Sequence, residues 1–155
     1  MIRATVIADA SWCPKTRAGA FACWINVNWP NGDHRRIKES GRFKTRPTSS
    51  EWAEAMAAWA GIWYAYQAGA RDLLVQSDCL NIVRTGGAPR STKGFGEYRK
   101  NSELYWPDAT LRWKHVKGHT GGQCPNGGDD RRFYVNEWCD VEAKKHMRSW
   151  RAELQ

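Results

Sequence analysis

Residues 4–9 read Ala-Thr-Val-Ile-Ala-Asp, and residues 72–78 read Asp-Leu-Leu-Val-Gln-Ser-Asp. Each is a short apolar run closed by an aspartate, which is the pattern of a buried strand that delivers an acid at its carboxyl end. In open α/β sheets, ligands collect outside the carboxyl ends of the parallel strands. If these two strands are parallel neighbours, Asp9 and Asp78 end side by side, and adjacent carboxylates repel unless a cation lies between them.

The flanking sequence supports such a sheet. Gly19 to Asn28 and His34 to Lys44 alternate loosely around the turn residues Pro30-Asn31-Gly32-Asp33, predicting strands two and three of an antiparallel meander. Pro47-Thr48-Ser49-Ser50 supplies a stop and an N-cap, so Glu51 to Gln67 is expected to be helical. That helix has a bulky stripe (Trp52, Met56, Trp59, Trp63, Tyr66) and a small-residue stripe (Ala58, Gly61, Ala65) that begins with Glu54. Two apolar stripes imply a helix sandwiched in the interior, an unusual place for the Glu54 carboxylate. Beyond Asp78, Cys79 to Thr85 reads as a short helix and Phe95 to Leu104 as another. Thr110 to Val116 reads as a strand, and Gly118-His119-Thr120-Gly121-Gly122 opens a loop running to about Tyr134. Asn136 is expected to cap a last helix to about Trp150, with Asp140 in its first turns. The element order describes an α/β sheet, antiparallel in its first half and built by crossovers in its second.

A length of 155 residues predicts a single domain spanning 1–155. Twenty-four Lys and Arg against sixteen Asp and Glu give a net charge of +8, which suits a polyanionic partner. No apolar run approaches the roughly 20 residues of a membrane span, and no signal-peptide pattern opens the chain, so a soluble, cytoplasmic protein is expected. Cys13, Cys23, Cys79, Cys124 and Cys139 are scattered and form no CxxC pair, which predicts reduced thiols. Cys124 with His115 and His119 lacks the fourth partner and the pair spacing of a zinc site.

Four acids, Asp9, Glu54, Asp78 and Asp140, each fall at an element end or in an early helical turn. Hard oxygen ligands suit Mg²⁺ or Mn²⁺, and two such ions roughly 3.5–4 Å apart can activate a water and neutralise the leaving oxygen of a phosphodiester. Taken singly, each acid has an ordinary role: Asp78 as a helix cap, Asp140 as a partner of a helix dipole.

Five segments in order, Ala8-Asp9-Ala10-Ser11, Ala53-Glu54-Ala55-Met56-Ala57, Gln76-Ser77-Asp78-Cys79, Trp113-Lys114-His115-Val116-Lys117-Gly118-His119 and Asn136-Glu137-Trp138-Cys139-Asp140, carry a resemblance. The chain resembles the type 1 ribonuclease H family over nearly its full length. The resemblance implies a ribonuclease H-like five-stranded mixed sheet, order 3-2-1-4-5, with helices on both faces. It further implies an endonuclease that binds an RNA–DNA hybrid and hydrolyses the RNA strand with two Mg²⁺ ions, or Mn²⁺, leaving 5′-phosphate and 3′-hydroxyl ends. Asp9 would bridge both metals, Asp140 would help hold the one that activates water, and Glu54 and Asp78 would serve the leaving-group side. His119, matching the family's mobile-loop histidine, would assist proton transfer or product release. The candidate substrate contacts are Ser11, Lys15, Arg17, Ser50, Lys93 and Lys100, and a monomer is expected.

The chain departs from the family in four places, one being the basic turn Cys13-Pro14-Lys15-Thr16-Arg17 after Asp9, where a neutral Gly-rich turn is usual. Ala10 stands where Gly is usual, so a left-handed conformation there would be strained by roughly 1 kcal/mol. Ser50 and Glu51 replace a polar pair that reads RNA 2′-hydroxyls. The loop between His119 and Asp140 is longer than is typical and holds Asp129 and Asp130, which could reach the metals but more often would be solvated. Two other readings remain open: a catalytically silent nucleic-acid-binding module on this fold, and a related nuclease for branched DNA.

Overall fold

The computed structural model describes residues 1–88, 106–118, 120–124, 127–128 and 130–155. Among these residues eight elements follow in order: β1 (Arg3–Trp12), β2 (Gly19–Asn28), β3 (His34–Arg42), α1 (Ser50–Gln67), β4 (Asp72–Ser77), α2 (Leu80–Thr85), β5 (Thr110–His115) and α3 (Arg132–Leu154). The helix expected over Phe95 to Leu104 lies outside the described residues.

The strands form one mixed sheet in the order β3-β2-β1-β4-β5. β1 runs antiparallel to β2 and parallel to β4, and β4 runs parallel to β5. Ile7 lies opposite Gln76, so two more residues along each strand bring the chain to Asp9 and Asp78 together. Side chains alternate across β1: Ala4, Val6 and Ala8 pack under α1, while Ile7 packs under α3 with Ala22, Trp24, Val135, Cys139 and Ala143. Helices therefore cover both faces. Among the described residues, no helix is long and apolar enough to cross a membrane. All five cysteines are free thiols.

α1 starts where the sequence predicts, with the Ser49 hydroxyl accepting from the Trp52 N–H at 3.2 Å. Its small stripe, including Ala53, Ala57, Gly61 and Ala65, is buried and lets the helix approach the sheet closely. The expectation of a sandwiched helix is corrected. The bulky stripe faces outward: Trp59 stacks on Trp106 at 5.3 Å and meets Trp113 edge-on, while Trp63 is 48% exposed. Large amphipathic rings can cover an outer layer without a second sheet above them, because their edges tolerate water.

The final helix also differs from expectation. It begins at Arg132, so Asn136 is an interior helical residue and Asp140 lies in the third turn rather than the first. Its N-cap is Arg131, which makes no side-chain cap bond; the Asp130 carboxylate just before it accepts from the Arg132 N–H at 3.0 Å and pairs with the Arg132 guanidinium. That partnership holds the Asp130 carboxyl down at about 2. Ala10 continues β1 without strain, since Arg17 (φ 61°) is the sole non-glycine residue with positive φ among those described.

Candidate active site

Three elements deliver three acids to one point. Asp9 comes from β1, Glu54 from the second turn of α1, and Asp78 from just past β4. One carboxylate oxygen from each lies within 4.8 Å of the others, and among the described residues no other group of His, Cys, Asp or Glu is gathered in this way. Asp9 is 3% exposed, and its Oδ1 accepts from the Ala10 N–H at 2.9 Å. Glu54 Oε2 is sealed from solvent without a hydrogen-bond partner among the described residues.

Burial pushes the Asp9 and Glu54 carboxyls well above the usual range, and the negative charge of neighbouring acids pushes them further. Asp78 acts on both, and Asp140 acts on Asp9. Asp140 is therefore electrostatically part of the cluster, although its own carboxylate is held by Lys144 at 2.9 Å and it stands outside the tight group of three. Buried, mutually repelling oxygens with an orphaned acceptor fit a hard divalent cation, which neutralises the charge and fills the missing coordination. Soft or imidazole-seeking metals do not fit this set of donors.

The ordinary role considered for Asp78 is absent: α2 is capped at Cys79 and has no side-chain cap bond. Of the other candidates, Ser11 lies two residues beyond Asp9 on the same strand and is buried. Ser50 is exposed and is the first residue of α1, beside its true cap Ser49. Lys15 and Arg17 are exposed in the turn between β1 and β2, where they share a depression with Arg46, a cation the sequence reading did not single out. Arg46 donates to the Thr16 carbonyl at 3.2 Å. Glu51 accepts from Asn81 Nδ2 at 2.9 Å, tying α1 to α2 near the acids. His119, Lys93, Lys100 and Asp129 lie outside the described residues. Asn136, read from sequence as a cap, instead donates to Asp78 Oδ2 at 3.3 Å.

Comparison with known proteins agrees with this fold. No curated protein sequence matches the chain. Among solved structures, ribonuclease H1 from the halophilic archaeon Halobacterium salinarum NRC-1 superposes with a TM-score of 0.62 at 16% identity, covering 95% of this chain and 98% of that one. The N-terminal ribonuclease H domain of Rv2228c from Mycobacterium tuberculosis gives 0.58 at 14% identity, covering 96% and 99%. LC11 ribonuclease H1 in complex with an RNA/DNA hybrid gives 0.58 at 12% identity, covering 92% and 97%. At these identities the likeness is one of fold. A family model described as reverse transcriptase-like matches residues 8–93, more than half of the chain and a span that includes Asp9, Glu54 and Asp78. The chain thus belongs to the reverse transcriptase-like family, and its fold is that of the ribonuclease H structures on which it superposes.

Proposed function

We propose that this protein is a divalent-metal-dependent endonuclease that hydrolyses the RNA strand of RNA–DNA hybrids. The observation that carries the reading is the convergence of Asp9, Glu54 and Asp78 within 4.8 Å at the carboxyl ends of β1 and β4. Uncompensated buried carboxylates oppose folding, so acids gathered at this burial favour a cation between them. The net charge of +8 supports a polyanionic substrate, and LC11 ribonuclease H1, of the same fold, is recorded with an RNA/DNA hybrid.

Asp9, Glu54, Asp78 and Asp140 would hold the metal, two Mg²⁺ ions or Mn²⁺. Bound there, the ions supply a water of lowered pKa and neutralise charge on the scissile phosphate and leaving oxygen. The chain's own contribution is to gather the acids and aim them, while the bound cation would favour their ionised form. Ala10 N–H fixes one Asp9 oxygen, and Lys144 steadies Asp140. Lys15, Arg17 and Arg46 would grip a phosphate of the strand entering past the turn between β1 and β2, while Ser11 and Ser50 would contact the substrate nearer the acids. Lys93 and Lys100 would add electrostatic contact without base reading. We further propose a single functional domain that acts as a monomer in the cytoplasm and leaves 5′-phosphate and 3′-hydroxyl ends.

The test is a strand-specific panel of hybrid, duplex RNA and four-way DNA junction with Mg²⁺. Cleavage of the RNA strand of the hybrid alone supports the reading. Hybrid binding without cleavage establishes the silent binding module, and junction cleavage establishes the branched-DNA nuclease.

Two outcomes are expected within this reading. His119→Ala lowers kcat by about 10- to 100-fold, consistent with an assisting proton carrier rather than a ligand, and loss as complete as that of an acid variant would refute the role. Lys15→Gln with Arg17→Gln lowers hybrid affinity and flattens its salt dependence by roughly one to two units of log–log slope, at about 0.7–0.9 per phosphate contact. An unchanged slope would make this a merely solvated basic turn.

A further inference from the structure

The segment Trp113 to His119 carries a strong resemblance in sequence, yet the proposed chemistry uses only its last residue. We propose that His115, Gly118 and Asn136 form a cradle that fixes the Asp78 carboxylate for metal binding, with Gly118 as the positioning residue. The inference rests on the reading of the acid cluster as a divalent-ion site.

Asp78 stands one residue beyond the end of β4, outside the β4·β5 ladder. Neighbouring contacts replace that support. The Val116 N–H donates to the Ser77 carbonyl at 3.0 Å, extending the pairing one step, and His115 Nε2 lies 3.1 Å from the Asp78 carbonyl oxygen, which it reaches as a donor. The chain then brings Gly118 directly against the carboxylate. A Cβ at Gly118 would lie 2.4 Å from Asp78 Oδ2 and 3.0 Å from both its Cβ and Cγ.

Gly118 is not among the glycines with positive φ, so its backbone does not demand glycine. What demands glycine is the space that Asp78 occupies. From α3, Asn136 donates to the same Oδ2 at 3.3 Å, and Asn136 is itself 2% exposed and held in place by its packing. Oδ2 is thereby wedged between the glycine of one loop and the amide of one helix. A carboxylate with a decided orientation loses less rotamer freedom when it binds an ion.

The experiment is an Mn²⁺ titration of the whole protein, read by calorimetry and by the shift of Tm, alongside steady-state hybrid cleavage. Gly118→Ala is expected to fold with a wild-type circular dichroism spectrum, to raise the Mn²⁺ midpoint at least tenfold and to lower kcat 10- to 100-fold, leaving KM within threefold. Gly41→Ala, where the added Cβ meets only Phe21 Cε1 at 3.9 Å, is expected to match wild type. In an Asp78→Ala background, Gly118→Ala should change the Mn²⁺ midpoint by less than twofold, because the carboxylate it displaces is gone. If Gly118→Ala does not fold, Asn136→Ala, which removes the opposite contact without adding an atom, carries the test with an expected three- to tenfold weaker midpoint. Wild-type Mn²⁺ affinity in Gly118→Ala, or an equal loss in the Asp78→Ala background, overturns the cradle while leaving the proposed function standing. A wild-type protein that takes up no divalent ion overturns both. Metal uptake without hybrid cleavage overturns the function alone, and the cradle is still decided by the midpoints.

Discussion

Asp9→Asn is expected to lower cleavage of the RNA strand by about three orders of magnitude or more while making the metal-free protein more stable. The two effects share one cause. Asp9 is 3% exposed and is acted on by the charges of both Asp78 and Asp140. Its carboxylate is worth most when a cation is present and is a liability when none is. A neutral amide of the same shape removes a ligand charge, and a thousandfold loss corresponds to about 4 kcal/mol of transition-state stabilisation. Without metal, the same change relieves burial and repulsion. A gain of about 1–2 kcal/mol would raise Tm by roughly 2–8 °C for a chain of this size.

The pH dependence has a definite sign. In the metal-free protein the Asp9 and Glu54 carboxyls titrate well above their ordinary values of 3.8 and 4.5. Groups raised on folding contribute stability that is fully present below those ordinary values and is lost as pH rises through the raised ones. Metal-free Tm should therefore fall as pH climbs above about 4–5, a bound divalent ion should remove the slope, and Asp9→Asn should reduce it. A variant that keeps wild-type cleavage, or a metal-free Tm that rises with pH in this window, would contradict the site.

Gly61→Leu is expected to abolish stable folding at 37 °C, and Gly61→Ala to cost about 1–2 kcal/mol, measured by urea denaturation. Alanine normally improves a helix interior over glycine by about 1 kcal/mol, so a loss here means that packing outweighs propensity. An added Cβ would lie 2.5 Å from Val6 Cγ1 and 3.4 Å from Cys23 Cβ, both fully buried in β1 and β2. Val6 is stiff at χ1 and packed on all sides, so it cannot swing away. The separation of α1 from the sheet also sets the height of Glu54, seven residues earlier on the same helix. The pair Gly61→Ala with Val6→Ala should lose at least about 1 kcal/mol less than the sum of its members, because the second change vacates the space the first one needs. Additive losses would show that the close approach is not what demands glycine.

The acids of this site were legible in the chain itself because each follows a strong local signal. Asp9 and Asp78 close apolar β runs, and Glu54 opens the small-residue stripe of a capped helix. Local physics chooses those elements: burial patterning makes the strands, and the Ser49 cap with an unbroken run of helix formers makes α1. Lys93, Lys100 and His119 came from the basic stretch and from motif likeness, and the described residues do not reach them.

The tertiary structure decided what depends on who packs against whom. Periodicity registers two apolar stripes on α1 but not that one of them ends under an open aromatic layer of Trp59, Trp106 and Trp113. It cannot reveal that the last helix begins at Arg132 rather than at Asn136, since a helix start depends on which partners reach its free N–H groups. The need for glycine at 118 and the grip of Asn136 on Asp78 arise from residues 40 and 58 positions away from that acid, and contacts at such separations exist only once the sheet has closed.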